Sequence, residues 1–321
     1  MYNSQEKNVD LVREYLPSYN TIRFQDQPEP NLAVQQNFVN VISKQTADLA
    51  TKPGIKVHNL RYGGSDDRQL VDVYYKDEAT SEPSSLIVYV HGGYWQMLDK
   101  SHSGSMVGPL VDRGYRVAVM DYNNCPQVTL PQLLEQFTSF LLWIFDYAER
   151  TQTTAISFAG HSAGAHLLAQ LLHMPDLITE ERRRKVQVVF FICGVYDLRE
   201  LWELDAVNPN NIFGLDAESV IQVSPMLWPW YADGSSWSSL RSHVISAENE
   251  SVTFTEQSRV FANYLKEAGF EATFKVFHRY DHFDIIEETA NDNSPITKYI
   301  LEALQDTSPE KESSPKESCP C

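Results

Sequence analysis

Three short stretches of this chain carry the side-chain types needed for nucleophilic catalysis. Gly160-His161-Ser162-Ala163-Gly164 sets a serine among small residues. A serine hydroxyl becomes a nucleophile when a histidine takes its proton and a carboxylate orients that histidine. Downstream, "ENES" offers Glu248 and Glu250, and "YDHFDII" offers His282. The chemistry implied is acyl transfer through a covalent serine intermediate. A random chain of this length would contain a G-x-S-x-G pentapeptide about one time in ten, so the pattern counts only if its surroundings fit.

The surroundings fit. "TAISFA" before the serine reads as a strand and "AHLLAQLL" after it as a helix, which puts Ser162 on a sharp strand-to-helix turn. Gly160, Ala163, Gly164 and Ala165 keep bulk out of that turn, where strained dihedrals and close neighbours leave little room. The Ala163 N–H then opens a helix beside the serine, where an oxyanion would develop. A second element, His91-Gly92-Gly93-Tyr94-Trp95, follows the apolar run "LIVYV". It resembles the HGG motif of lipases and esterases, and by that resemblance Gly93, with Gly92 or Tyr94, completes the oxyanion hole.

The elements that must position these residues alternate. Short apolar, β-branched runs ("QLVDVYY", "SLIVYV", "YRVAVMD", "TAISFAG", "VQVVFFIC", "HVISAE", "ATFKVF") are separated by helical patterns at 131–149, 163–173, 254–268 and 295–304. Continuous apolar strands joined by helical crossovers predict an α/β fold with a mostly parallel sheet. This domain is expected over 53–305. Residues 1–52 form a helical lead-in that Pro53-Gly54 ends, and the Ser, Pro and charge-rich 306–321 reads as a disordered tail. One interval breaks the alternation: 196–241 holds Trp202, Phe213, Trp228, Trp230, Tyr231 and Trp237. A cap insertion over the active site is expected there, with Trp95, Trp228, Trp230 and Tyr231 as substrate-pocket candidates. Packing of the same rings onto the domain is the plainer alternative.

With a serine on such a turn, the chain order serine, acid, histidine narrows the search. His166 and His173 lie on the helix that follows Ser162, His243 opens a strand and His278 ends one; His282 alone lies in the loop beyond the last strand. The acid should leave the strand "HVISA", which points to Glu248 or Glu250. Glu250, deeper in the loop, is favoured, while Glu248 can still belong to the strand end. Asp281 adjoins His282 and is poorly placed to orient its ring. His278, His282 and Asp284 lack an H-E-x-x-H pattern or a third ligand, so no metal is expected. Neither phosphate-binding glycine motif occurs, no cofactor is expected, and His161 reads as structural.

Composition narrows the partners. The chain has 43 acidic against 26 basic residues, a net charge of -17, which opposes binding to a phosphate backbone. Its one dense basic run, Arg182 to Lys185, follows Glu180 and Glu181 and reads as a solvated helix end. "FLLWIF" and "VVFFIC" fall far short of the ~20 apolar residues that span a bilayer, and the N-terminus lacks a basic-then-apolar leader pattern. A cytoplasmic protein with a small-molecule substrate, no nucleic acid and no membrane is expected, and a homodimer is compatible with the sequence. Four scattered cysteines suggest reduced thiols.

Taken together, "HGGYW", "GHSAGAH", the acid in "ENES" and the histidine in "YDHFDII" resemble the kynurenine formamidase (arylformamidase) family of the α/β-hydrolase superfamily, over about residues 15 to 304. The HGG-x-Trp form sets that family apart from hormone-sensitive-lipase relatives, which more often carry HGGG. The resemblance implies cleavage of N-formyl-L-kynurenine to L-kynurenine and formate in tryptophan catabolism, with Ser162, His282 and Glu250 as the triad. A glutamate stands where many triads carry aspartate. The competing expectations are a general short-acyl carboxylesterase and, on the same fold, a non-catalytic small-molecule binder.

Overall fold

The computed structural model describes residues 10–64, 68–76, 84–173, 178–228, 237 and 239–305; the predicted tail, 306–321, lies outside them. Eight strands form one sheet: β1 (Ile55–Arg61), β2 (Leu70–Lys76), β3 (Leu86–Val90), β4 (Arg116–Met120), β5 (Ile156–His161), β6 (Val186–Ile192), β7 (Arg241–Asn249) and β8 (Glu271–Asp281). Their order is β1-β2-β4-β3-β5-β6-β7-β8. The pairs from β4 through β8 are parallel, and β2 joins β1 and β4 antiparallel. The expected α/β class and mostly parallel sheet are therefore present. Only β1 had no strand signal, because "IKVHNLR" is largely exposed and shows no clean apolar alternation.

The helices are α1 (Leu11–Tyr15), α2 (Pro30–Leu49), α3 (Val107–Val111), α4 (Leu130–Arg150), α5 (Ala163–His173), α6 (Glu180–Lys185), α7 (Ser219–Gln222), α8 (Val252–Glu267), α9 (Asp284–Glu287) and α10 (Pro295–Gln305). None of the described helices is long and apolar enough to cross a membrane. The cause of α4 is legible in its residues. Thr129 and Gln132 form a reciprocal capping box, and Leu133, Phe137, Phe140, Leu141 and Ile144 recur at helical spacing to give one buried face. Similarly, α2 buries Val34, Phe38, Ile42 and Leu49, each worth roughly 1.5–3 kcal/mol once removed from water. The basic run at the end of α6 stays at the surface, where Arg182 pairs with Asp146 and Glu149 of α4.

Strands β3, β5 and β6 are almost wholly buried because helices cover both faces of the sheet. One apolar cluster joins α4, α5 and α8 to one face; another joins α2, α3 and α10 to the other. The parallel register aligns the strand ends: Val90 pairs with Gly160, His161 with Ile192, Ile192 with Ile245, and Asn249 with Asp281. Five residues that begin the loops at those ends, His91, Ser162, Cys193, Glu250 and His282, therefore gather at the carboxyl edge of the sheet, where open α/β folds bind ligands.

Candidate active site

Ser162 follows β5 directly, with φ of 54°. That left-handed conformation costs a non-glycine residue about 1–3 kcal/mol and persists only where the surroundings hold it. Here the Ser162 N–H donates to Ile192 O (2.9 Å), and its carbonyl accepts from His166 N (3.1 Å) in the first turn of α5. The turn also runs close against β3: a Cβ on Gly164 would stand 2.1 Å from Val90 O. No side chain fits there.

His282 and Glu250 meet at the ends of β8 and β7. The His282 Nδ1–H donates to Glu250 Oε2 at 2.5 Å, with the two side chains 6% and 0% exposed. The other carboxylate oxygen accepts from Ser251 N (3.1 Å). His161 Nε2–H donates to the His282 carbonyl (2.8 Å), so the elbow histidine holds the backbone of His282. Burial, and then the neighbouring His282 ring, push His161 well below the usual histidine range and keep it neutral. With Nδ1 engaged, His282 keeps Nε2 for the cavity that it and Ser162 both line.

Glu248, the alternative acid, is turned outward, accepting from Arg279 N (2.7 Å) and the exposed His278 (3.2 Å). His278 is thereby separated from His282. Among the described residues one trio of metal-ligating types converges, Cys193, Glu250 and His282, with ligand atoms within 4.8 Å of one another. In the hydrogen bond between two of them His282 Nδ1 carries the proton that it donates to Glu250, so that nitrogen has no lone pair to offer a metal. Burial, then the Glu250 carboxylate, raise the Cys193 thiol well above its usual range, so it stays protonated and is no rival nucleophile.

The HGG loop lies against the elbow. A Cβ on Gly92 would come within 2.9 Å of His161 O and 3.0 Å of Ser162 Cβ, so only glycine allows this approach. Gly93, Tyr94 and Trp95 all have positive φ (109°, 53° and 59°). Their neighbours' carbonyls are occupied: Tyr122 Oη donates to His91 O (2.9 Å), His91 Nδ1 to Gly92 O (2.8 Å), and Gln96 and Met97 N–H to Gly93 O. By contrast, the N–H groups of Gly93, Tyr94 and Ala163 meet no acceptor among the described loop contacts. Donors left unpaired beside a nucleophile suit an oxyanion.

A cavity of about 690 Å³ opens over Ser162 and His282. Of the four expected pocket residues, the two that are described, Trp95 and Trp228, do not line it. The 196–241 interval contributes only Ala206 and Val207 among the described residues, whereas α2 contributes Leu32, Gln35, Gln36, Phe38, Val39 and Asn40, with Gln35 Nε2 donating to Ser18 Oγ (3.1 Å). Trp95 is 1% exposed and sits beneath its loop, edge-on to His166 (5.0 Å) and Phe213 (5.4 Å). Trp228 stacks on His173 (4.6 Å) and donates to Gln222 O (2.6 Å). Both indoles complete the core over α4, α5 and α8 and neither lines the cavity. Trp230 and Tyr231 lie outside the described residues.

The lead-in also grips the histidine turn, a role that sequence reasoning missed. Arg23 binds Asp281 (2.7 Å) and Glu287 (2.8 Å), and Thr21 donates to Asp281. Asp281 in turn accepts from Phe283 N and Asp284 N (2.8 and 2.9 Å), so it shapes the turn around His282 instead of orienting the ring. Burial alone would raise the Asp281 carboxyl; Arg23 and Thr21 hold it below its usual range. For Asp284, burial and then the Asp281 charge push the pKa up to about 7. Leu32 and Val39 gave the available signal for the pocket: apolar residues seven apart, off the stripe that buries α2.

Comparisons with known proteins bear on the family and the fold. The BD-FAE family matches residues 71–221. A kynurenine formamidase of Drosophila melanogaster is 56% identical over 300 residues, covering 94% of this chain and 98% of that one. One from Danio rerio is 30% identical over 77% of this chain and 81% of its own. Among solved structures, a putative thioesterase from Silicibacter superposes with a TM-score of 0.67 at 25% identity, covering 89% and 97% of the two chains. Esterase B of Lactobacillus Rhamnosis gives 0.64 at 18%, over 86% and 93%.

Proposed function

The chain belongs to the kynurenine formamidase family of α/β-hydrolases, and from that premise we propose that it cleaves N-formyl-L-kynurenine to L-kynurenine and formate with Ser162, His282 and Glu250 as its triad. Ser162 Oγ attacks the formyl carbon while His282 Nε2 takes its proton. Glu250 holds the tautomer with the proton on Nδ1 and stabilises the imidazolium as it forms. The oxyanion rests on N–H groups of the 92–94 loop and of Ala163. His282 then returns the proton to the departing aryl nitrogen, and L-kynurenine leaves. Water, deprotonated by His282, attacks the formyl-serine ester and releases formate. A formyl group needs almost no acyl pocket, so the cavity volume is available to the leaving aryl group.

The observation that supports the triad is the buried 2.5 Å bond from His282 to Glu250, at the ends of β8 and β7 on the same carboxyl edge of the sheet as Ser162. The test is kcat/KM for N-formyl-L-kynurenine against a short 4-nitrophenyl ester, with Ser162→Ala as the blank. A clear preference for the formamide is expected, and Glu250→Gln should lower the rate far more than Glu248→Gln. Preference for the ester would reduce the assignment to a general carboxylesterase; no turnover of either would favour a binding protein.

A further inference from the structure

One face of α2 closes the catalytic cavity with side chains that do nothing to hold the helix in place. Leu32, Gln36, Val39 and Asn40 all line the cavity, and residues three, four and seven apart share a helix face. The stripe that anchors α2 is a different one, Val34, Phe38, Ile42 and Leu49. The helix is further pinned through Asn37 Nδ2 to Glu287 (3.3 Å) and Gln45 Nε2 to Glu287 O (2.9 Å). Leu32 and Val39, 45% and 36% exposed, belong to neither apolar cluster of the described residues. Gln36 and Asn40 are exposed, and their side chains make no hydrogen bond among the described residues. The charge of the cavity is equally informative, since none of its described lining residues is Asp, Glu, Lys or Arg.

A substrate with an amino-acid end brings an ammonium and a carboxylate into this cavity with no net charge. A carboxamide offers both donors and an acceptor, so a pair of them can serve both ionic groups without a desolvated counter-charge. Resting on the proposed reaction, we infer that Gln36 and Asn40 are the specificity determinants for the amino-acid end of the substrate, bound through neutral amides. Leu32 and Val39 cover the adjoining apolar carbon. The reacting formamide sits below, at Ser162, and α2 reads the far end of the molecule.

The experiment compares N-formyl-L-kynurenine with formanilide, which keeps the aryl formamide and lacks the amino-acid end. Gln36→Ala, Asn40→Ala and the double Gln36→Leu/Asn40→Leu variant would be measured with both substrates. Alanine and leucine are good helix formers at exposed positions, and thermal melts verify folding. Loss of a hydrogen bond to a charged group predicts about a tenfold fall in the kcat/KM ratio of the two substrates for each single variant, carried by KM. The wild-type KM should also be nearly independent of salt, since no ionic contact is made. An unchanged ratio, an equal loss on both substrates, or a KM that climbs steeply with salt would overturn the inference while leaving the reaction intact. A wild-type protein that hydrolyses formanilide but not N-formyl-L-kynurenine would overturn the underlying reading and this inference with it.

Discussion

Residues 196–241 hold four of the chain's six tryptophans, yet place only Ala206 and Val207 in the described wall of the catalytic cavity, whereas α2, with Phe38 as its one aromatic, builds a whole side of it. The difference lies in what each segment already touches. Trp202, Phe213, Trp228 and Trp237 pack on the cluster above α4, α5 and α8, so their apolar area is consumed by the core. In α2 the core takes one stripe and leaves a second, with amides and aliphatic side chains facing open space. Aromatic content measures how much surface a segment can bury; it does not say against what.

The sharpest way to break this contrast is at the lead-in's grip on the histidine turn. Arg23→Ala leaves Asp281 and Glu287 buried without their cation, a loss of about 3 kcal/mol. It should also lower kcat/KM at least tenfold as the turn bearing His282 loosens. Denaturant melts and steady-state kinetics would show both; an active, equally stable variant would reduce the lead-in to a passive cover. In the insertion the expectation reverses. Trp228→Ala should cost about 3 kcal/mol by leaving a cavity, with kcat/KM for N-formyl-L-kynurenine kept within twofold. If turnover fell while the melting temperature held, recognition would belong to the insertion after all.

The smallest effect expected is a matter of pH. A folded-state pKa near 7 for Asp284, above its unfolded value, means that the folded chain binds a proton the unfolded chain releases. Stability from this group is therefore present at low pH and lost as pH rises from about 4 to about 7. Asp284→Asn keeps an acceptor for Asp281 N and removes the charge. Its melting temperature should match the wild type near pH 4 and exceed it by about 2–4 °C above pH 7. Equal melting curves at both pH values would mean that Arg23, 3.7 Å away, already compensates the second carboxylate.

Much of the molecule can be read without coordinates, for a local reason. Apolar runs alternating with helical patterns specify strands buried between helices, and the parallel sheet follows. The stretches bearing Ser162, Glu248, Glu250 and His282 could be named because each lies where a strand signal stops, and local sequence marks such ends. The 196–241 interval stands out by its broken pattern, though the surface that its rings pack against does not show in the sequence.

What remained was decided through space. Glu248 and Glu250 are two residues apart and chemically identical; the irregular end of β7 turns one toward His278 and the other under His282. The grip of Arg23 on Asp281 joins residues 258 apart in sequence, and nothing near Arg23 signals its partner. The same holds for the pocket wall. The pattern of α2 tells which of its faces is apolar, but packing of Phe38 against Phe283 (5.3 Å) and His161 (6.2 Å) decides that the other face looks onto the serine. Periodicity and composition describe what a segment carries, while only the contacts of the folded chain determine what it faces.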